Sequence, residues 1–179
     1  IYGKNRWKSL TNLSLSIGQD ALLTTPIQMA NMTAAIANRG YYYTPHIIKS
    51  IENDSIDDRF RNPIRTLVDS SLFEIVIKGM QEVVEDEELG TSNIAKMENI
   101  TVCGKTGTAQ NPHGEDHSIF IGFAPKDNPK IALAVYVENG GWGSTWAVPI
   151  ASLLIEKYLN DTIERDWLEK KIVEGIIEY

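Results

Sequence analysis

The run Ile131-Ala132-Leu133-Ala134-Val135-Tyr136-Val137 is apolar without interruption, and a second apolar stretch, Phe120-Ile121-Gly122-Phe123, precedes it across Lys126-Asp127-Asn128-Pro129. Two such runs separated by Asp, Asn and Pro read as the antiparallel strands of a hairpin. A strand exposed on one side would alternate apolar with polar residues. Unbroken hydrophobicity instead requires that both faces of the sheet be covered. The rest of the chain must therefore supply helices to cover it.

Suitable helices flank the hairpin. Thr25 is a candidate N-cap, Pro26 suits the first helical position, and Gln28 completes a capping box; Ile27, Ala30, Ala34 and Ala37 then recur before Gly40 ends the helix. Residues 41–65, aromatic and then charged and holding Pro45 and Pro63, predict an extended piece and an exposed loop. A second helix over 70–85, capped by Asp69, offers Leu72, Ile75, Val76, Met80 and Val83 as an inward stripe. A short helical turn follows at 92–96. Beyond the hairpin, Ser144 or Thr145 caps a helix to about residue 159, with Val148, Ala151, Leu154 and Ile155 inward. A last amphipathic helix over 162–177 holds Trp167, Leu168, Ile172, Val173 and Ile176. The pattern predicts an α+β fold, an antiparallel sheet packed with helices. The helical part occupies about residues 1–98, the sheet and its covering helix about 99–160, and a C-terminal helical extension 161–179.

A third strand precedes the hairpin. An apolar approach (Ile100, Val102, Cys103) leads into Lys105-Thr106-Gly107-Thr108 and then Ala109-Gln110. Strand geometry puts Lys105 and Gly107 on one face and Thr106 and Thr108 on the other. A strand edge of this composition can pair with a peptide-like ligand. Gly107 removes the bulk that would hold a ligand backbone away, the cation and hydroxyls suit a carboxylate, and the Thr108 N–H can meet a developing oxyanion. Taken alone, a lysine in a strand is most often a solvated side chain.

Charge and composition exclude other classes. The net charge of -7 with 17 scattered Lys and Arg residues excludes nucleic acid as a partner, because phosphate neutralisation requires clustered cations. The single cysteine, Cys103, cannot form an internal disulfide and reads as a packed apolar side chain. No apolar run reaches the roughly 18 residues of a membrane span.

Lys-Thr-Gly within a strand is one signature of penicillin-binding proteins and β-lactamases. The chain resembles class B penicillin-binding proteins, most closely their elongation-type members. Upstream, the resemblance rests on Ser16-Ile17-Gly18-Gln19, on Leu23-Thr24-Thr25-Pro26-Ile27-Gln28-Met29-Ala30 and on residues 34–40. Downstream it rests on His117-Ser118-Ile119-Phe120-Ile121-Gly122-Phe123-Ala124-Pro125, on Asp127-Asn128-Pro129-Lys130-Ile131-Ala132 and on Val137-Glu138-Asn139-Gly140-Gly141. It covers roughly residues 6–160 and implies part of the penicillin-binding/serine β-lactamase-like transpeptidase fold. By resemblance, Lys105 and Thr108 are catalytic: Lys105 tunes proton transfer near the serine and helps hold the substrate carboxylate, and the Thr108 N–H supplies half of the oxyanion hole. Thr106, Gly107, Thr108 and Gln110 bind substrate, and His113 and Trp142 border the cleft. The implied ligands are peptidoglycan stem peptides and β-lactams, with no cofactor and no metal. The family's Ser-x-x-Lys and Ser-x-Asn elements occur nowhere in this sequence, and Ser55-Ile56-Asp57 is only a chance imitation. In the family both precede the Ser-Ile-Gly-Gln segment. The expectation is a C-terminal portion of a longer protein, held to the membrane by an N-terminal anchor with its catalytic domain outside, inactive alone and prone either to self-association or to altered packing of its first helix.

Other readings compete. His113 and His117, with Glu115 and Asp116 between them, could suggest a metal site, although Pro112 and Gly114 make this a turn rather than a helix that would converge the imidazoles. Gly140-Gly141-Trp142-Gly143 fits a strand-to-helix connection better than a phosphate cradle. Gly104-Lys105-Thr106 reproduces the end of a P-loop, yet a helix would have to begin after Thr106. A non-catalytic β-lactam sensor or a serine β-lactamase relative shares the Lys-Thr-Gly element.

Overall fold

A computed structural model describes residues 7–19, 22–52 and 54–177. The ends of the two expected segments, 1–6 and 178–179, lie outside the described residues. In chain order the elements are α1 (Ser9–Ser16), α2 (Pro26–Ala37), β1 (Tyr41–Tyr42), α3 (Asp58–Arg61), β2 (Ile64–Arg65) and α4 (Ser70–Glu85). A 3₁₀ turn (Asn93–Ala95), β3 (Cys103–Ala109), β4 (His117–Ala124), β5 (Ile131–Val137), α5 (Ala147–Asn160) and α6 (Asp166–Val173) follow.

The expected hairpin is present and is extended by the lysine strand into a three-stranded antiparallel sheet of order β3-β4-β5. Its register sets Thr106 opposite Phe120 and Gly107 opposite Ile119, with Phe120 in turn opposite Val135. Phe120 and Phe123 are three residues apart and so point to opposite faces. Phe120 packs with Val148, Ala151 and Ile155 of α5, whereas Phe123 and Cys103 pack with Ala37 of α2 and Ile77 and Met80 of α4. Helices therefore cover both faces, as the unbroken apolar runs require. Gly104 and Gly122 face each other across the ladder, and a Cβ at either would come within 2.1 and 2.6 Å of the Phe120 ring. The ring lies over the space those two residues leave.

The caps read from the sequence form. The Thr25 side chain accepts from the Gln28 N–H while Gln28 Oε1 accepts from the Thr25 N–H at 2.8 Å, and Pro26 opens α2. Asp69 caps α4 by accepting from the Ser71 N–H at 2.9 Å. At the C-terminus of α2 the left-handed residue is Arg39 (φ 56), one before Gly40. The Arg39 N–H donates to Ile36 O and the Gly40 N–H to Ala35 O, a Schellman pattern. The Arg39 guanidinium bonds Glu74 and the Ala37 carbonyl at 2.7 and 2.8 Å, which offsets the cost of that conformation at a residue with a Cβ.

Three inward stripes differ from expectation. On α4 the buried residues are Ile77, Met80 and Val84, with Phe73 packed beside them, while Leu72, Ile75 and Val76 are exposed. At 100° per residue the true face is rotated roughly a quarter-turn from the expected one, with Met80 common to both. Both stripes are apolar, and only packing against β3 chooses between them. On α2, Thr33, Ala35 and Ala37 are buried and Ile27 is exposed, because small side chains let this helix lie close across β5 and β4. On α5, Leu153 is inward and Leu154 half exposed.

The termini also depart from the reading. Helix α1 lies within the expected helical part although the pattern predicts no separate helix there; its Leu10 and Leu13, and Ile17 at its C-cap, share helical spacing but are exposed. Neither Ser144 nor Thr145 caps α5. Its N-terminus begins after a turn ending at Trp146, and the Ala147 N–H donates to Ser118 Oγ at 3.1 Å, a cap supplied by β4. The final helix is shorter than 162–177 and inserts only Leu168. It is held to α5 through Glu156, whose carboxylate accepts from Arg165 Nε and from the Glu164 N–H, both at 2.9 Å.

Candidate active site

Strand β3 pairs with β4 on one side only among the described residues, which leaves an open edge along Lys105, Thr106, Gly107 and Thr108. The Lys105 side chain is exposed and its Nζ donates to Thr106 O at 2.9 Å, with Thr106 Oγ1 at 3.4 Å. Thr106 Oγ1 lies 3.0 Å from Thr91 Oγ1. One ammonium and two hydroxyls thus converge at the start of the edge, an arrangement suited to a carboxylate.

The main chain of Thr108 also turns to this edge. Its carbonyl accepts from Gln19 Nε2 at 3.1 Å, on the side away from β4. Antiparallel pairing sends both main-chain groups of a residue to the same side, so the Thr108 N–H lies at the open edge as well. An N–H in that position can donate to a carbonyl or oxyanion laid alongside the strand. A Cβ on Gly107 would press on Ile119 at 3.3 Å and fill the face that Lys105 shares. On the other face Gly143 covers the Gly107–Ile119 pair, and a Cβ there would come within 2.6 Å of Ile119 O and 2.7 Å of Gly107 O. Ser118 Oγ fixes this roof by donating to Trp142 O at 2.9 Å.

Beyond Thr108 the edge opens into a cleft of about 1080 Å³, lined by Gln19, Met29, Ala109, Gln110, His117 and Tyr136 among others. The structure thus gathers Lys105, Thr106, Gly107 and Thr108 on one edge and puts Gln110 on the wall of the adjoining cleft. Trp142 is exposed in the roof segment next to Gly143. His113 is exposed in the loop after β3, where its N–H bonds Asn111 Oδ1 at 3.0 Å, and it makes no hydrogen bond to the Lys105–Thr108 edge among the described residues.

Thr91 and Gln19 were missed as site residues. Gln19 carried a signal, since it closes Ser-Ile-Gly-Gln. Thr91 carried none. It is brought in by the turn after α4, where Asp86 accepts from the Glu88 and Leu89 N–H groups and Asn93 Nδ2 bonds Val84 O.

The competing chemistries lack geometry here. Strand β3 continues through Ala109 where a P-loop requires a helix. His117 Nδ1 accepts the Asn139 N–H and Asp116 accepts the Asn111 N–H; among the described residues no cluster of His, Cys, Asp and Glu could hold a metal ion. Cys103 is fully buried, and burial pushes its thiol up to about 12, which keeps it protonated and unreactive.

This edge, with its cation, paired hydroxyls and outward-turned N–H, coincides with a family match: the penicillin binding protein transpeptidase domain matches residues 2–156. The chain belongs to the penicillin-binding protein transpeptidase family. It is 34% identical to the peptidoglycan D,D-transpeptidase MrdA of Haemophilus influenzae, over 89% of this chain and 27% of that protein. Among solved structures, Pseudomonas aeruginosa PBP2 in complex with WCK 5153 superposes with a TM-score of 0.75 at 36% identity, covering 90% of this chain and 36% of the other. The imipenem acyl-enzyme of penicillin-binding protein A from M. tuberculosis gives a TM-score of 0.72 at 29% identity, covering 85% and 34%. The chain thus spans well under half of the relatives it matches. The expected partial transpeptidase fold is borne out by these likenesses.

Proposed function

We propose that the protein containing this chain is a peptidoglycan D,D-transpeptidase of the elongation type, and that the chain supplies the Lys-Thr-Gly-Thr wall of its site. The observation that carries this reading is the open edge itself. Lys105 Nζ and Thr106 Oγ1 lie together at its start, and the Thr108 N–H is turned outward further along. The terminal carboxylate of a donor stem peptide rests on Lys105, Thr106 and Thr108, and its penultimate D-Ala carbonyl points at the Thr108 N–H.

A serine outside this sequence attacks that carbonyl. The ester C–O bond forms as the C–N bond to the terminal D-Ala breaks, and the departing nitrogen takes a proton. An amine of a neighbouring stem then attacks the ester, and the proton it sheds returns to the serine oxygen. A β-lactam acylates the same serine by resembling the donor. Lys105 orients the carboxylate and eases proton transfer near the serine. Gln110, His113 and Trp142 form the rim.

The segment after α5, with α6 as its one helix among the described residues, is an extension of the transpeptidase domain, and an N-terminal anchor holds the domain at the outer face of the cytoplasmic membrane. Among the described residues no helix is long and apolar enough to cross a membrane. In isolation, the chain self-associates through its exposed apolar stripe. The test is labelling with a fluorescent penicillin. The full-length protein forms a covalent adduct, this chain alone does not, and Lys105→Ala in the full-length protein slows acylation by about 100-fold or more. Labelling of this chain alone, or full-speed acylation of the Lys105 variant, overturns the reading.

A further inference from the structure

Gln19 Nε2 reaches Thr108 O from a segment 89 residues earlier. The contact falls on the one carbonyl a donor peptide needs next. In an antiparallel ladder a hydrogen-bonded residue exchanges both of its main-chain bonds with the residue opposite. A donor whose attacked carbonyl sits on the Thr108 N–H therefore brings the N–H of that same residue to Thr108 O. The carboxamide of Gln19 is the same kind of donor as a peptide N–H, and it already holds this acceptor.

We propose that Gln19 is a specificity-determining residue: its side chain competes with the amide N–H of the donor for Thr108 O and must turn aside for an amide-bearing ligand to pair fully with β3. This inference rests on the transpeptidase reading above. The backbone leading into Gln19 is tied to the end of α1, with the Gln19 N–H bonded to Ser14 O at 3.0 Å and the Gly18 N–H to Leu15 O at 3.1 Å. Turning the side chain alone is enough to free Thr108 O. The cleft of about 1080 Å³ that Gln19 lines gives the carboxamide room to turn. Ligands that lack the N–H meet no competition and gain nothing from its removal.

The test compares two β-lactams on the full-length protein. Benzylpenicillin carries an acylamino N–H next to its reactive carbonyl, and imipenem carries none at that carbon. Gln19→Met keeps the length of the side chain and deletes the donor, and Gln19→Ala deletes both. Both variants should speed acylation by benzylpenicillin about five-fold, the effect of one exchanged hydrogen bond, and leave the imipenem rate unchanged. A merely structural Gln19 would move both rates together. Parallel changes, an unaltered ratio, or a selective slowing with benzylpenicillin each overturn the proposal. If the unsubstituted protein is acylated by neither compound, the transpeptidase reading itself fails and this inference fails with it.

Discussion

Thr91 Oγ1 and Thr106 Oγ1 lie 3.0 Å apart, which ties the turn after α4 to the open edge of β3. The contact fixes the rotamer of Thr106, the hydroxyl that Lys105 Nζ also approaches at 3.4 Å. Thr91→Val keeps the shape and removes the partner, at a cost of about 1 kcal/mol, or roughly five-fold in rate. In the full-length protein this should appear as slower acylation by penicillin without a change in melting temperature. An unchanged acylation rate would separate Thr91 from the site.

Gly143 is buried against the sheet, and an added Cβ would strike the backbone oxygens of Gly107 and Ile119 rather than a movable side chain. Gly143→Ala should therefore push the roof from the sheet, destabilise by about 1–3 kcal/mol, and slow acylation through displacement of β3. A denaturant melt of the variant checks the first effect and penicillin labelling the second.

Cys103 gives a pH signature. Burial raises its thiol from 9.0 to about 12, so the folded state favours the neutral form. That contribution is whole below pH 9.0 and fades as the pH climbs toward about 12, where the unfolded chain ionises and the folded one does not. Stability should fall across that window by more in the unsubstituted protein than in Cys103→Ala. Native protein should resist iodoacetamide below pH 9.0 and react once unfolded.

Glu156 and Arg165 form a 2.9 Å ion pair that is almost out of solvent, and Arg165 Nη1 also donates to Ile94 O at 2.8 Å. Glu156→Gln leaves the guanidinium without its counter-charge, a loss of about 3 kcal/mol or more. Hydrogen exchange should show α6 opening first, since Leu168 is its one buried side chain.

Leu72, Ile75 and Val76 leave an apolar stripe on the outer side of α4, continued by Leu67 and Val68. Patches of this kind drive association. Sedimentation of this chain should show mass rising with concentration, and Ile75→Lys should reduce it. A monodisperse monomer at all concentrations would contradict this.

Elements set by local chemistry were legible in the sequence. The Thr25–Gln28 box, the Asp69 cap, the Lys126–Pro129 turn and the three strands each depend on residues adjacent in the chain. What stayed hidden depends on contacts distant in sequence. Helix α4 carries two apolar stripes, and only its packing on β3 selects Ile77, Met80 and Val84. The N-terminus of α5 is capped by Ser118, 29 residues away from Ala147, which no local pattern reveals. The same holds in the site. Lys105, Thr106 and Thr108 are a contiguous motif and could be read directly, whereas Thr91 and Gln19 reach the edge only through tertiary folding.

The Phe120 ring spans the places where Gly104 and Gly122 have no side chain. The height of the lysine strand is thereby keyed to an aromatic residue that is fully buried. A smaller side chain at position 120 would let β3 sink toward α5 and a larger one would lift it, with every residue of the open edge unchanged.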